Sequence, residues 1–138
     1  MNREILFRGK HIHTTKRNKH LNGTWVHGYL SDKNYIYDKR LNGEFLVDES
    51  TICQYTGEMD KNGQKIFEGD ILEAHLDDSF PENATRVRVT FEKMKWCLVQ
   101  KGMIPDPFET GEGKEWEVIG NIFDNPELTG ETKDGESR

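Results

Sequence analysis

The side chains of this sequence that could do chemistry begin with three histidines near its start. His11, His13 and His20 lie within one short segment, and an extended chain would place His11 and His13 on the same face. Zinc could use such a pair, but a complete site takes three or four protein ligands, and Cys53 lies far along the chain. We therefore expect no metal site and no cofactor.

The cysteines and the acidic residues offer no better catalytic arrangement. Cys53 and Cys97 lie beside aliphatic residues, which suits small buried side chains, and no cysteine-protease signature surrounds them. Asp48-Glu49 has no partner histidine and is typical of a solvated turn. The sequence also contains no P-loop, Rossmann glycine pattern or Gly-x-Ser-x-Gly elbow. We therefore expect no catalytic residue and no enzyme activity.

A basic run followed by tyrosines is the set that could bind a partner. Residues 8–20 carry the basic excess of the first 52 residues, which hold nine Lys/Arg against six Asp/Glu. Tyr35 and Tyr37 flank Ile36 at period 2, so a strand would place both rings on one face. Cations interleaved with stacking rings are how β-barrels bind single-stranded nucleic acid. The candidate interaction surface is Arg8, Lys10, Lys16, Arg17, Lys19, Tyr35 and Tyr37.

Two alternatives weigh against nucleic acid. The basic run could be a solvated loop, and the rings could form the core of a chain that is poor in aliphatic residues. Residues 53–138 hold ten Lys/Arg against nineteen Asp/Glu, a balance that would repel a duplex and would suit a basic protein partner. The first hypothesis is therefore a non-enzymatic module that binds another protein, and single-stranded nucleic-acid binding is the alternative.

The elements that must position these residues are short strands. Period-2 alternation dominates, most clearly in Arg86–Glu92, where Val87, Val89 and Phe91 share one face. About eight such segments separated by turn signals predict an all-β barrel or sandwich. We expect a small SH3-like barrel from residue 54 onward and a second β-lobe before it.

Local signals predict the turns. Asn62-Gly63 favours a tight hairpin turn, and Glu68-Gly69-Asp70 favours a second reversal that leads into a strand. Asn125 followed by Pro126 is typical of a helix start, so we expect at most one short helical turn, near residues 125–128.

The organisation of the chain follows from its length of 138 residues and its composition. We predict a single β domain over residues 1–128, with sub-lobes of about 1–53 and 54–128, and a disordered tail at 129–138. The sequence shows no signal peptide and no apolar run long enough for a membrane span, so we expect a cytoplasmic protein without membrane contact. Homo-oligomerisation stays open, because short strands leave edges that a second copy could cover.

Three sequence blocks resemble one known family. The first is residues 3–8 (REILFR), the second combines 54–57 (QYTG), 60–63 (DKNG) and 66–71 (IFEGDI), and the third is 116–128 (WEVIGNIFDNPEL). In this order they resemble the opening, the central signature and the closing motif of the YopX family.

The resemblance implies a small, mostly β protein encoded by a bacteriophage or a prophage of Gram-positive bacteria, acting in the host cytosol. It implies no known enzymatic activity, cofactor or substrate, so no catalytic residue can be assigned from the family. With that origin, the partner of the non-enzymatic module would be an unknown host or phage protein.

Overall fold

The protein is described by a computed structural model that covers residues 5–12, 23–75 and 83–129. In these ranges the regular structure consists of antiparallel strands and 3-10 turns, so the all-β prediction is confirmed. The strands are β1 (Phe7–Lys10), β2 (Trp25–Asp32), β3 (Tyr35–Asp38), β4 (Gly43–Leu46), β5 (Cys53–Met59), β6 (Lys65–Phe67), β7 (Asp70–Ala74), β8 (Thr85–Glu92), β9 (Lys95–Val99), β10 (Asp106–Pro107) and β11 (Glu117–Asn121).

The chain divides into two compact units, Met1–Tyr55 and Thr56–Arg138, and strand β5 passes from one to the other. In the first unit the strand order is β4-β3-β2-β1-β5. The chain after β4 also pairs with the chain after β1, because the Asp48 amide donates to the Lys10 carbonyl (2.8 Å) and His11 bridges Val47. The core of this unit is built from Val26, Ile36, Phe45 and Val47.

A close backbone approach shapes the middle of that sheet. Gly28 lies in β2 beside β3, and a Cβ atom at this position would overlap the carbonyl oxygen of Tyr37. Only glycine therefore fits at position 28, because any side chain would have to push β3 away.

The second unit contains a five-stranded sheet in the order β10-β9-β8-β7-β11, together with the hairpin of β5 and β6. Alternation in β8 buries Val87 and Val89, as the sequence predicts. Phe91 lies two residues further along and is exposed, where its ring packs edge to face on Trp96. The core of this unit is Ile66, Leu72, Ala74, Val87, Val89, Leu98 and Trp116.

No barrel closes among the described strands of the second unit, because β10 and β11 lie at opposite edges of the sheet. Strand β10 is two residues long and ends in Pro107, which has no amide hydrogen to offer a further strand. The SH3-like barrel expected from residue 54 onward is therefore not confirmed.

The expectation of at most one helical turn is wrong. The described ranges contain three 3-10 turns, at Glu49–Thr51, Glu112–Glu115 and Pro126–Thr129, of which only the last was expected. The first turn forms because the Asp48 side chain accepts a hydrogen bond from the Ser50 amide at 3.1 Å, so Asp48 is a cap.

Some predicted features fall on residues outside the described ranges, namely His13, His20, Lys16, Arg17, Lys19 and the proposed tail beyond Thr129. Within the described ranges, no helix is both long enough and apolar enough to cross a membrane.

Candidate interaction surfaces

The outward side of strands β1, β2 and β3 carries rings and cations in the first unit. Cross-strand register places Arg8 opposite His27, Lys10 opposite Trp25, and Tyr29 opposite Tyr37. Directly opposite residues share a face, and β2 and β3 alternate these side chains with the buried Val26 and Ile36, whereas Arg8 of β1 is itself buried. We call this surface the ring-and-cation face, made of Arg8, Lys10, Trp25, His27, Tyr29, Tyr35 and Tyr37.

The basic residues of this face lie in a strand. Arg8 is 7% exposed, and its guanidinium carbon lies 4.7 Å from the centroid of the Trp25 ring. The Lys10 ammonium lies 5.5 Å from the same ring. Both are cation–π distances, so Trp25 holds two cations along β1. The described part of the predicted basic run, Arg8 and Lys10, is therefore ordered by a ring and is not a solvated loop.

The tyrosines follow the predicted alternation. Ile36 is buried while Tyr35 on one side of it is exposed and Tyr37 on the other is half-buried, which confirms that the two rings share the face opposite Ile36. Tyr55 is buried, as a core ring would be. The candidate interaction surface as a whole stays a prediction, since Lys16, Arg17 and Lys19 lie outside the described ranges.

A concavity of about 500 Å³ opens at one end of this face. Its rings are Tyr29 and Tyr37, whose centroids lie 5.5 Å apart with the planes tilted by 30°. Tyr29 is 58% exposed, so its ring offers surface to a bound molecule. We call this concavity the tyrosine groove, lined by Ile5, Leu6, His27, Gly28, Tyr29, Tyr37, Asp38, Lys39 and Arg40.

One buried carboxylate organises the polar end of the tyrosine groove. Asp38 is 1% exposed and accepts hydrogen bonds from the His27 amide (2.9 Å) and the Leu41 amide (3.3 Å). It also accepts a bond from Nη2 of Arg40 at 3.3 Å, while the Arg40 side chain stays 64% exposed. Asp38 therefore holds one nitrogen of the Arg40 guanidinium, while most of the Arg40 side chain faces solvent.

The imidazole of His27 sits among positive charges. Its burial lowers its pKa below the ordinary value of 6.5, and the charges of Arg8 and Arg40 lower it further, while Asp38 acts in the opposite direction. His27 is therefore neutral at pH 7, because a proton there would be desolvated and repelled. The positive charge of the tyrosine groove resides in Lys39 and Arg40.

Sequence reasoning missed His27, Lys39 and Arg40 as groove residues and did not select Tyr29. A signal was present, because Tyr29 lies near the basic run and follows His27 at period 2. The pairing of Tyr29 with Tyr37 depends on the register of β2 and β3, which no local pattern specifies.

A second exposed surface lies in the other unit, at the turn between β8 and β9. Lys93 and Met94 both have positive φ angles, 51° and 69°, at positions where tight hairpins favour Asn and Gly. Met94 is 87% exposed, and Phe91 and Trp96 meet edge to face just behind it, with centroids 4.9 Å apart. We call this surface the hairpin tip, residues 91–96. It presents apolar side chains to solvent from a turn whose backbone disfavours them.

The polar residues of the family-like blocks serve the loops of the second unit. Asp60 is 4% exposed. One of its carboxylate oxygens accepts from the amides of Asn62 (2.8 Å) and Gln64 (2.9 Å), and the other accepts from the Val118 amide (2.9 Å). Asp60 thus holds the Asn62-Gly63 turn against β11, which is a structural role.

Asp70 and Asn121 act in the same way. Asp70 accepts a hydrogen bond from the Phe67 amide at 2.8 Å and closes the predicted reversal before β7. Asn121 accepts from the amides of Phe123 and Asp124, both at 2.9 Å, and so folds the segment after β11. These side chains are bonded to the chain's own backbone.

The structure also shows the surroundings of His11, Cys53 and Cys97, the described residues first considered for metal or thiol chemistry. His11 is buried, and its Nδ1 lies 2.8 Å from the Leu46 carbonyl oxygen. The described ranges contain no group of three or more His, Cys, Asp or Glu side chains arranged to hold a metal ion. Cys53 and Cys97 are buried, as expected from their neighbours.

Comparison with known families agrees with the three sequence blocks. A family model described as YopX protein matches residues 6–129, which is most of the chain. Comparison with curated proteins gives no match. The matched range includes both units and the loops that Asp60, Asp70 and Asn121 organise. The chain therefore belongs to the YopX family.

Proposed function

We propose that this YopX-family chain is a phage- or prophage-type accessory protein that acts in the bacterial cytoplasm as a non-enzymatic protein-interaction module. Family membership supports the origin. The polar side chains Asp60, Asp70 and Asn121 of the family-like blocks are engaged by backbone amides, which supports a structural role for them over a catalytic one.

The hairpin tip is the observation that carries this proposal. A methionine exposed to 87% at a positive φ angle is costly, since the left-handed conformation is unfavourable for a residue with a side chain. Exposed apolar side chains that cluster at one place are typical of protein-binding surfaces. Met94 is flexible and polarizable, which suits insertion into an apolar pocket of a partner.

Charge further defines the partner. Lys93 and Lys95 flank Met94, and both are exposed, so the receiving pocket would be apolar with acidic groups at its rim. Glu92 is the one acidic residue of the tip. The acidic balance of the surrounding unit suits a basic surface further out on the same partner.

Affinity capture from phage-carrying host cells tests this function. The wild-type chain is compared with a Lys93→Asn/Met94→Gly variant, which keeps the turn and removes its apolar and basic side chains. Met103→Ser is the matched control, because Met103 is also exposed in the same unit. We expect a protein that binds the wild type and Met103→Ser directly in purified form but is lost with the double variant.

Equal binding of purified partner by the wild type and the double variant would contradict the proposal. The hairpin tip could instead bind a second copy of this chain. Sedimentation velocity detects it as an association that depends on protein concentration and disappears in the double variant.

Single-stranded nucleic-acid binding is the second candidate, and the ring-and-cation face favours it. Trp25, Tyr29 and Tyr37 lie there on one side of a sheet, with Lys10 opposite Trp25 and the buried Arg8 packed against the Trp25 ring. Rings and cations in this arrangement bind bases by stacking and phosphates by charge. Fluorescence anisotropy of a labelled oligothymidylate tests it: binding should weaken steeply with salt, and absence of binding at low salt would exclude it.

A further inference from the structure

We infer that the tyrosine groove holds one aromatic base together with its phosphate, either as a free nucleotide or as one unit of a single strand. The inference rests on the second candidate function and narrows it to one site, with Tyr29 as the stacking residue and Lys39 and Arg40 as the phosphate contacts.

The size and lining of the groove fit such a ligand. Its volume of about 500 Å³ lies within the range of small-molecule sites, about 300–1,000 Å³. Tyr29 presents an exposed ring, held in place by the ring of Tyr37 across the strand pair. Ile5, also exposed, supplies an aliphatic surface to the same concavity. A planar base can therefore lie against a ring while an apolar side chain covers another part of it.

The charges of the groove select an anion. Lys39 and Arg40 are adjacent and exposed, and Asp38 is buried beneath them with its oxygens engaged by two amides and Nη2 of Arg40. Two cations of the groove lining, Lys39 and Arg40, therefore face one carboxylate that is already engaged, which favours a phosphate beside the rings.

The arrangement of the face extends the same chemistry. Trp25, with Arg8 and Lys10 against its ring, lies along β2 from Tyr29 on the same side of the sheet. A strand whose first base occupies the tyrosine groove would meet a second ring, Trp25, and one further partly exposed cation, Lys10. A free nucleotide would use the groove alone, so the two sources of the ligand predict different affinities.

Fluorescence anisotropy with a labelled oligothymidylate of about ten nucleotides, at about 50 mM salt, tests the site directly. Tyr29→Ala should weaken binding by about five- to 150-fold, the usual effect of losing one base-stacking ring. Tyr29→Phe should bind like the wild type, because the ring remains. Tyr35→Ala is the matched control, an exposed tyrosine of the same face that does not line the groove, and it should change binding much less.

Salt dependence separates the phosphate contact from stacking. Lys39→Ala should make the slope of log affinity against log salt shallower by about 0.7, the value for one phosphate contact on a single strand. Competition by uridine and adenosine monophosphates forms the second arm. Displacement of the oligomer by millimolar mononucleotide, dependent on Tyr29, identifies the free nucleotide as sufficient; much tighter binding of the oligomer identifies the strand.

The histidine of the groove reports where the phosphate lies. A phosphate bound beside Lys39 and Arg40 would offset the charges of Arg8 and Arg40, which lower the pKa of His27, and would act in the same direction as Asp38. The pKa of His27, followed by NMR titration of its ring protons, should therefore rise when ligand is added.

Two results overturn the inference. If the oligomer binds the wild type but Tyr29→Ala and Tyr35→Ala weaken it equally, the candidate function survives and the groove is not the site. If the wild type binds neither oligomer nor mononucleotide at low salt, both the site and the nucleic-acid function are excluded, while the hairpin tip is unaffected.

Discussion

The two units of this protein share one use of buried carboxylates and differ in a second. In the second unit, Asp60 and Asp70 accept hydrogen bonds from backbone amides of their loops and, for Asp60, of β11. In the first unit, Asp38 also accepts from two backbone amides, and in addition it bonds Arg40, whose side chain faces solvent beside exposed rings. The central and closing family-like blocks lie almost entirely in the second unit. The most recognisable sequence therefore marks a loop framework, and the proposed binding surfaces lie outside it.

The substitution with the largest expected effect destabilises the first unit and not the second. Gly28→Ala should destabilise it by about 4 kcal/mol, because the new Cβ overlaps the Tyr37 carbonyl oxygen. Hydrogen exchange followed by mass spectrometry should show faster exchange in β2 and β3. The control is Gly43→Ala, whose Cβ would meet the Phe45 ring at an ordinary 3.8 Å and should change little. Equal effects of the two substitutions would contradict the close approach.

The matching change in the second unit is Asp60→Ala. It removes the acceptor of the Asn62, Gln64 and Val118 amides and should cost about 3 kcal/mol, seen as faster exchange in β6 and β11. Asp60→Asn should cost less, since its one carbonyl oxygen can still hold the turn. Asp106→Ala, at an exposed position, is the control. A loss of stability in the first unit of equal size would show that the framework role is not local.

A smaller change should stabilise the second unit while removing its proposed function. Lys93→Asn/Met94→Gly replaces residues at positive φ with those that tight turns favour, and should raise stability by about 1 kcal/mol. The turn of the first unit already has Asn42 at a φ of 57°. Thermal denaturation measures the gain, with Lys95→Asn as a control outside the positive-φ positions. A drop in melting temperature would mean that Lys93 and Met94 make stabilising contacts at the tip.

The smallest effect is a dependence on pH that belongs to the first unit. Because the pKa of His27 is lowered in the folded state, the unfolded chain takes up the proton more readily. Stability should be unaffected well above pH 6.5 and should fall as the pH drops below that value, until the folded pKa is passed. Melting temperatures at about pH 7.5 and about pH 5.5 should differ less for His27→Gln than for the wild type. An unchanged difference would assign the dependence to another group.

Local patterns predicted much of the fold and part of the candidate surface. The alternation of residues 86–92 correctly predicted that Val87 and Val89 are buried, because a strand places every second side chain on one face. The same rule placed Tyr35 and Tyr37 together. It did not predict that Phe91 would be exposed, since this depends on where the core ends along the hairpin. Local patterns also missed the 3-10 turns at Glu49–Thr51 and Glu112–Glu115; the first depends on the side-chain hydrogen bond of Asp48.

The sequence by itself determined the all-β class, the turns at Asn62-Gly63 and Gly69-Asp70, and the family, because each depends on residues that are neighbours in the chain. The tertiary structure decided which residues meet. Tyr29 faces Tyr37, and Arg8 packs on Trp25, through strand register, and Asp38 reaches His27 across that same pairing. The open sheet in place of a barrel was decided in the same way, because pairing at an edge depends on strands distant in sequence.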